Sequence, residues 1–159
     1  MSLIVRMLYV LLLARLRPRL APGKAISVLT LLTFPNDLDI NLHVNNGRYL
    51  TMCDLNRVDI FIRTGLAKLM LKNRWVPLIS EHTMTYKKPL GVFQKFQLTS
   101  SITHWDERCF YMDHRFERRG KVLAEGTSKG VVRGREGLIP PERVIAELRG
   151  NGRPDEPGA

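Results

Sequence analysis

Residues 37–49 read Asp-Leu-Asp-Ile-Asn-Leu-His-Val-Asn-Asn-Gly-Arg-Tyr, and no stretch of the chain is more informative than this polar one. It stands between an apolar, strand-like run at 25–34 and a run at 48–64 whose apolar residues recur at helical spacing. A turn between a strand and a helix leaves the first backbone N–H groups of the helix without partners. A carboxylate beside such donors can act on a carbonyl or on water while the donors hold the developing oxyanion. The stretch therefore predicts an acid/base or nucleophilic site.

Composition sets the broad class of the protein. A chain of 159 residues with 44% hydrophobic and 25% charged residues is typical of one globular domain. The net charge of +10 and the pI near 10.1 favour acidic partners such as nucleic acid, anionic lipid or a phosphorylated small molecule. Interleaved aromatics and a known nucleic-acid module are both missing from the sequence, so nucleic acid is not the expected partner.

The cysteine and histidine residues indicate no metal site by their spacing. Cys53 and Cys109 form no CxxC pair, and His82, His104 and His114 are scattered. We expect buried free thiols, a reducing cytoplasmic location, and no metal or cofactor.

The N-terminal segment is apolar from Leu3 to Leu16 apart from two arginines. Its uninterrupted apolar run, 7–14, is far shorter than the roughly 20 residues of a membrane-spanning helix. A basic start and a clear small-x-small cleavage site are also missing, which disfavours a signal peptide. We expect residues 1–22 to form a helix packed on the domain or its partner. The alternative is a helix that lies on an anionic membrane through residues 1–20.

The rest of the chain predicts an α+β domain over residues 23–149. One strand and one long helix precede four further strands, with Arg119-Gly120 as a tight hairpin turn in an antiparallel meander. A short helix begins at Pro140-Pro141, and residues 150–159 are expected to form a flexible tail. The predicted elements are a strand at 25–34, helices at 46–64 and 66–72, strands at 76–88, 93–105, 108–118 and 121–133, and a final helix to Leu148.

The polar stretch carries a signature of the form Asn-Asp-x-Asp…His-x-Asn-Asn-x-Arg-Tyr, and a strand end of the form Tyr-x-x-Pro follows at Tyr86 and Pro89. On these motifs the chain resembles the hotdog-fold acyl-CoA thioesterases of the 4-hydroxybenzoyl-CoA thioesterase type, over roughly residues 25–135. It departs from many members at Leu42, where they carry Gly. The residues that match the signature are Asn36, Asp37, Asp39, His43, Asn45, Asn46, Arg48 and Tyr49.

The resemblance implies an antiparallel sheet wrapped around a long central helix, and a homodimer or a tetramer of dimers with sites at the dimer interface. It implies hydrolysis of an acyl-CoA, with a fatty acyl group expected, and it makes Asp39 the base or nucleophile. His43 is then an acid/base group, a substrate contact or an orienting residue, and backbone N–H groups near Asn45 and Asn46 form the oxyanion hole. Substrate contacts are expected from Tyr49, Arg118, Arg119 and Lys121, of which the basic residues would receive the phosphates of coenzyme A.

Three alternatives remain open on the sequence. Asp54 is a rival catalytic acid, although its spacing of three from Arg57 favours an ordinary helical ion pair. A hotdog hydratase would pair an Asp with a His five residues on, whereas His43 lies four residues after Asp39. A non-catalytic acyl-thioester binder associated with a membrane is the third reading.

Overall fold

The computed structural model describes residues 3–150, and the sheet in it is antiparallel throughout, in the order β1-β3-β4-β5-β2 with β6 paired to β5. The predicted meander and the long helix before it are confirmed. The elements are α1 (Leu3–Leu16), β1 (Ile26–Leu32), a 3₁₀ turn (Pro35–Asp37), α2 (Asn46–Thr64), α3 (Leu66–Asn73), β2 (Val76–Tyr86), β3 (Lys95–Trp105), β4 (Phe110–Arg118), β5 (Lys121–Gly134), β6 (Gly137–Ile139) and α4 (Pro141–Gly150).

At the C-terminal end, the structure contains a strand that was not predicted, and most of the predicted tail lies outside the described residues. The three-residue strand β6 was not predicted, because a segment that short carries no periodic pattern. The predicted tail falls almost entirely on residues 151–159, which lie outside the described part of the chain.

Helix α2 packs its apolar side onto the sheet and forms the main core. Met52 and Leu55 on the helix are buried with Leu98 of β3 and Phe116 of β4. A buried amide also ties the helix to the sheet, since Asn56 Nδ2 donates to the carbonyls of Ser27 (3.0 Å) and Leu98 (2.9 Å). These bonds fix where the helix lies above β1 and β3, and so where its N-terminus begins.

Helix α1 packs against α2, and an arginine within it and another just after it reach β1, an edge strand of the sheet. Arg6 Nη2 donates to the Leu32 carbonyl (2.8 Å), and Arg17 Nη2 donates to the Val28 carbonyl (3.1 Å). Unpaired edge groups invite pairing with another chain. The two guanidinium groups satisfy such carbonyls and hold α1 against the domain.

The outer face of α1 is exposed and apolar. At 14 residues, α1 falls short of a bilayer crossing, and within residues 3–150 no helix combines the length and apolar character that a crossing requires. The exposed apolar side chains of α1 are Ile4, Val5, Leu8, Tyr9, Leu12 and Leu16.

Strand register brings the polar loop and the basic hairpin to one end of the sheet. Leu32, the last residue of β1, lies opposite Lys95 of β3, and the next pair along β3 and β4 is Gln97 with Glu117. The loop that follows β1 therefore leaves the sheet at the same end as the turn between β4 and β5.

Candidate active site

Asp37 anchors the loop that precedes α2. Its carboxylate is fully buried and accepts from Arg6 Nη1 (2.8 Å), Arg6 Nη2 (2.5 Å) and the Phe34 N–H (2.8 Å). Its backbone carbonyl accepts from the Asn45 N–H at 2.9 Å. Asp37 therefore has a structural role, and it joins α1, the end of β1 and the start of α2.

The segment between Leu38 and Val44 folds back on itself as a narrow loop that presents Asp39. Leu38 and Val44 form an isolated antiparallel bridge, and the Asp39 N–H donates to the His43 carbonyl at 2.8 Å. Asp39 Oδ1 accepts from the N–H of Asn41 (2.8 Å) and of His43 (3.4 Å). Oδ2 has no hydrogen-bond partner within residues 3–150, and the side chain is partly exposed. One carboxylate oxygen thus orients the group while the other stays available for chemistry.

His43 contacts Asp39 through its backbone. Its N–H and carbonyl both bond to Asp39, whereas its ring makes no hydrogen bond within the described residues, and the residue is exposed. The ring is therefore open to a substrate and does not orient the carboxylate.

The first turn of α2 leaves one backbone donor open. Asn45 is the N-cap: its side chain accepts from the Gly47 N–H at 2.8 Å, and its carbonyl accepts from the Arg48 N–H at 2.8 Å. Because the Asn45 N–H bonds to Asp37, the Asn46 N–H is the donor near the cap without a partner inside residues 3–150. The Tyr86 hydroxyl holds this peptide by donating to the Asn46 carbonyl at 3.1 Å. Of the two backbone N–H groups that were predicted as oxyanion donors, that of Asn45 is already bonded, and that of Asn46 is open among the described residues.

Tyr49, which was predicted to contact the substrate, lies in the core. Its side chain is 3% exposed, and its ring packs edge-on against Tyr86 (5.1 Å) and Phe116 (4.9 Å). Burial raises the pKa of Tyr49 to about 12, so the phenol stays protonated at neutral pH. Tyr86 is the exposed member of the pair, and it is the tyrosine that touches the start of α2.

The basic hairpin between β4 and β5 lies near the same end of the sheet. Arg119 and Gly120 both have positive φ (49° and 72°), as a two-residue hairpin turn of the primed type requires. Arg118 and Arg119 line an open cleft together with Lys95 of β3. Lys95 was missed in the sequence because only the register of β3 with β4 places it there. Lys121 begins β5 and is exposed.

Asp54, the alternative catalytic acid, forms an ion pair with Arg57. Arg57 Nη1 donates to Asp54 Oδ1 in an ion pair across one helical turn, as the spacing predicted. Asp54 is half exposed, and its charge is partly neutralised by this partner.

Comparison with known proteins now identifies the family. Residues 34–147 match the thioesterase-like superfamily. The chain belongs to this family. Protein THEM6 from Xenopus laevis is 28% identical over 119 residues, which cover 74% of this chain and 56% of that protein. The probable thioesterase YBR096W from Saccharomyces cerevisiae is 30% identical over 92 residues, 56% of this chain and 40% of the yeast protein. The chain spans about half the length of the curated relatives it matches.

Solved structures show the same fold. The probable thioesterase YbaW from Escherichia coli superposes with a TM-score of 0.70 at 18% identity, over 77% of this chain and 95% of YbaW. SAV2348 from Staphylococcus aureus, solved in complex with CoA, superposes with a TM-score of 0.68 at 13% identity, over 88% of this chain and 91% of SAV2348. The predicted hotdog architecture, an antiparallel sheet wrapped around a central helix, is confirmed.

Leu42 holds a backbone conformation that favours glycine, and this generates a stability prediction. Its φ is +59° and its side chain is 72% exposed, so it has strain and little packing. A non-glycine residue in the left-handed backbone conformation costs roughly 1–2 kcal/mol of stability. Substitution by glycine relieves this strain but lowers stability by about 0.4–1 kcal/mol, because glycine raises the entropy of the unfolded chain. Leu42→Gly should therefore raise the free energy of unfolding by roughly 0.5–1 kcal/mol in urea denaturation.

Ile40→Gly is the matched control, since Ile40 is an exposed residue of the same loop without positive φ. It should be destabilising or neutral. Equal stabilisation by both variants would show that the gain comes from loss of exposed apolar surface, not from relief of strain at Leu42.

Proposed function

We propose that this protein hydrolyses acyl-CoA thioesters at the loop before α2. The observation that carries the proposal is a partly exposed carboxylate, Asp39, with one oxygen fixed by two backbone N–H groups and the other free. The unpartnered Asn46 N–H at the start of α2 supplies the complementary donor. Membership of the thioesterase-like superfamily supports the same reaction class.

In the proposed mechanism the thioester carbonyl oxygen accepts a hydrogen bond from the Asn46 N–H. The positive end of the α2 dipole adds to the stabilisation of the oxyanion. Asp39 Oδ2 then follows one of two routes. It either takes a proton from a water that attacks the carbonyl carbon, or attacks that carbon itself to form a mixed anhydride that water later cleaves. Both routes break the C–S bond, release the CoA thiol and leave a free carboxylic acid.

An apolar cavity along α2 supports a fatty acyl group. Arg57 is the first α2 residue in its lining, which also includes Phe61 of α2, Leu78 of β2 and Ile145 of α4. Arg57 lies eleven positions after Asn46, which is roughly 16 Å along a helix axis. A chain that starts at the helix N-terminus and reaches this cavity must be long and apolar, so we propose fatty acyl-CoA as the substrate.

Two exposed apolar surfaces, on β2 and on α1, are candidates for binding a second copy of the chain and a membrane. Strand β2 is an edge of the sheet and exposes Val76, Leu78 and Ile79. We propose that two copies join along β2 as a homodimer, which can assemble further into a tetramer of dimers. The exposed face of α1, which ends near Arg15 and Arg19, is proposed to rest on an anionic membrane surface.

The first test removes the proposed base. Asp39→Asn should lower kcat for acyl-CoA hydrolysis by about 10²–10⁴-fold, because a positioned general base contributes that much. The two backbone bonds to Oδ1 persist in the amide, so the loop should keep its shape. Release of free thiol from a panel of acyl-CoAs of graded chain length gives the rate, and the panel also reports the preferred acyl length.

Asp54→Asn is the matched control and should lose little activity, because Arg57 already occupies that carboxylate. Normal turnover of Asp39→Asn together with an inactive Asp54→Asn would place the chemistry on α2 instead.

His43→Ala should lower kcat less than Asp39→Asn does, since the backbone of His43, which the substitution keeps, makes its contacts to Asp39. If both variants lose activity equally and the wild type hydrates an enoyl-CoA, the protein is a hydratase.

A second test addresses the coenzyme A contact. Arg118→Glu, Arg119→Glu and added salt should each raise KM for acyl-CoA with little change in kcat. The reason is that contacts to phosphates far from the thioester contribute the same binding energy in the ground state and in the transition state, and added salt screens them. A phosphate-free pantetheine thioester should show no such dependence.

Lys72→Glu serves as the control because Lys72 is exposed on α3, beyond the C-terminal end of α2. It should leave KM unchanged. A KM that is insensitive to salt and to hairpin charge reversal would show that the hairpin does not bind the CoA phosphates. The basic excess would then serve the membrane surface met by α1.

A further inference from the structure

A cluster of potential metal ligands lies between α2 and the sheet, away from Asp39. Cys53 projects from α2, His82 from β2 and His114 from β4, and one ligand atom from each lies within 4.8 Å of the other two. Cys53 and His114 are fully buried, while His82 is half-buried. Their wide separation in sequence explains why no ligand spacing marks them.

The cluster contains an unsatisfied polar atom. His82 Nε2 is buried and has no hydrogen-bond partner among the described residues, whereas its Nδ1 lies 3.3 Å from Arg57 Nη2. Leaving such a nitrogen unpaired costs about 1–3 kcal/mol. A ligand that bonds to this nitrogen would remove the cost.

His114 is held by a hydroxyl on each side. Its Nδ1 lies 2.7 Å from Ser100 Oγ and its Nε2 lies 2.9 Å from Ser128 Oγ. The buried ring lies between the two hydroxyls, and a neutral imidazole offers them one N–H and one lone pair. One serine accepts from the N–H, and the other donates to the lone pair and can rotate away. A metal on that lone pair would leave the opposite serine as the orienting acceptor that metal-bound histidines typically have.

We propose that Cys53, His82 and His114 bind a Zn²⁺ ion. One thiolate and two imidazoles form a donor set that suits Zn²⁺, and a fourth position stays open to water. With bonds of about 2.3 Å to sulfur and 2.0–2.1 Å to nitrogen, the ligand atoms of a tetrahedral site lie roughly 3.3–3.6 Å apart. Because the ligand atoms lie no more than 4.8 Å apart, side-chain rotations that shorten these distances by at most about 1.2–1.5 Å complete the site.

The neighbouring charges are compatible with a cation. The Cys53 thiol loses its proton on binding, and the thiolate cancels one of the two charges of the ion. Arg57 stands beside His82, but its guanidinium is already paired with Asp54. At present Arg57 Nη2 can only donate to His82 Nδ1. When Zn²⁺ takes Nε2 of His82, Nδ1 carries the proton, so Arg57 Nη2 must turn away from it while Nη1 keeps its bond to Asp54.

The bound ion would link three separate parts of the fold. It would join the central helix to β4 beneath it and to β2, the open edge of the sheet. Binding is therefore expected to stabilise the folded chain, independently of the proposed hydrolysis at Asp39.

Titration of the full chain with Co²⁺, and competition with Zn²⁺, tests the proposal. The wild type should show the visible bands of tetrahedral Co²⁺ and a thiolate-to-metal charge-transfer band, both removed by excess Zn²⁺. Cys53→Ser should lose the charge-transfer band. His82→Asn should weaken Zn²⁺ binding by roughly 100-fold or more, since even removal of an outer-shell partner costs 10–100-fold.

Cys109→Ser and His104→Asn are the matched controls, because they change the other cysteine and a histidine outside the cluster. Both should bind the metal like the wild type, and Zn²⁺ should raise their melting temperature. His82 is half-buried, so His82→Asn keeps the test decisive if Cys53→Ser fails to fold. Octahedral Co²⁺ bands only, or equal Zn²⁺ affinity in wild type and His82→Asn, would overturn the proposal.

Discussion

The buried ion pair between Arg6 and Asp37 is the interaction on which the candidate site depends. Both side chains are almost completely removed from solvent, and two guanidinium nitrogens bond the two carboxylate oxygens. Arg48 Nε also lies near this carboxylate, 3.7 Å from Asp37 Oδ1, but Arg6 makes the short bonds. Loss of one partner of a buried ion pair typically costs about 3–5 kcal/mol. Helix α1 is therefore an integral part of the structure in which Asp39 is held.

The Arg6–Asp37 ion pair is connected to the candidate site by hydrogen bonds of Asp37. Asp37 accepts from the Phe34 N–H at the end of β1, and its carbonyl receives the Asn45 N–H at the start of α2. With that amide occupied, the Asn46 N–H remains as the open donor. The same residue begins the narrow loop whose Asp39 carboxylate is fixed by Asn41 and His43. The positions of the proposed base and of the proposed oxyanion donor thus share one anchor.

Local pattern was sufficient to predict most of the helices and strands. The alternation in β2, the helical spacing in α2 and the Arg119-Gly120 turn depend on neighbours in sequence, and each lies close to its predicted bounds. Asp37 is held as the buried partner of Arg6, a long-range role that no local pattern indicates. Arg6 itself was not singled out, because one arginine in an apolar run gives no local signal of burial.

The features that the sequence did not predict depend on contacts between residues that are far apart in the chain. Tyr49 matches the family signature, yet its ring is buried because β4 brings Phe116 beneath it. Lys95 joins the basic hairpin through the pairing of β3 with β4. Cys53 meets His114 only because α2 crosses β4. Each contact joins residues more than 20 positions apart, so no window of sequence contains it.

The most direct test of this account is backbone amide hydrogen exchange in Arg6→Met, which keeps most of the side-chain volume and removes the charge. The account predicts faster exchange at Asn41, His43 and Asn45, because the loop loses its anchor at Asp37. Arg15→Met, an exposed change on the same helix, should leave these amides protected as in the wild type. Unchanged protection of the loop in Arg6→Met would contradict the claim that α1 holds the site together.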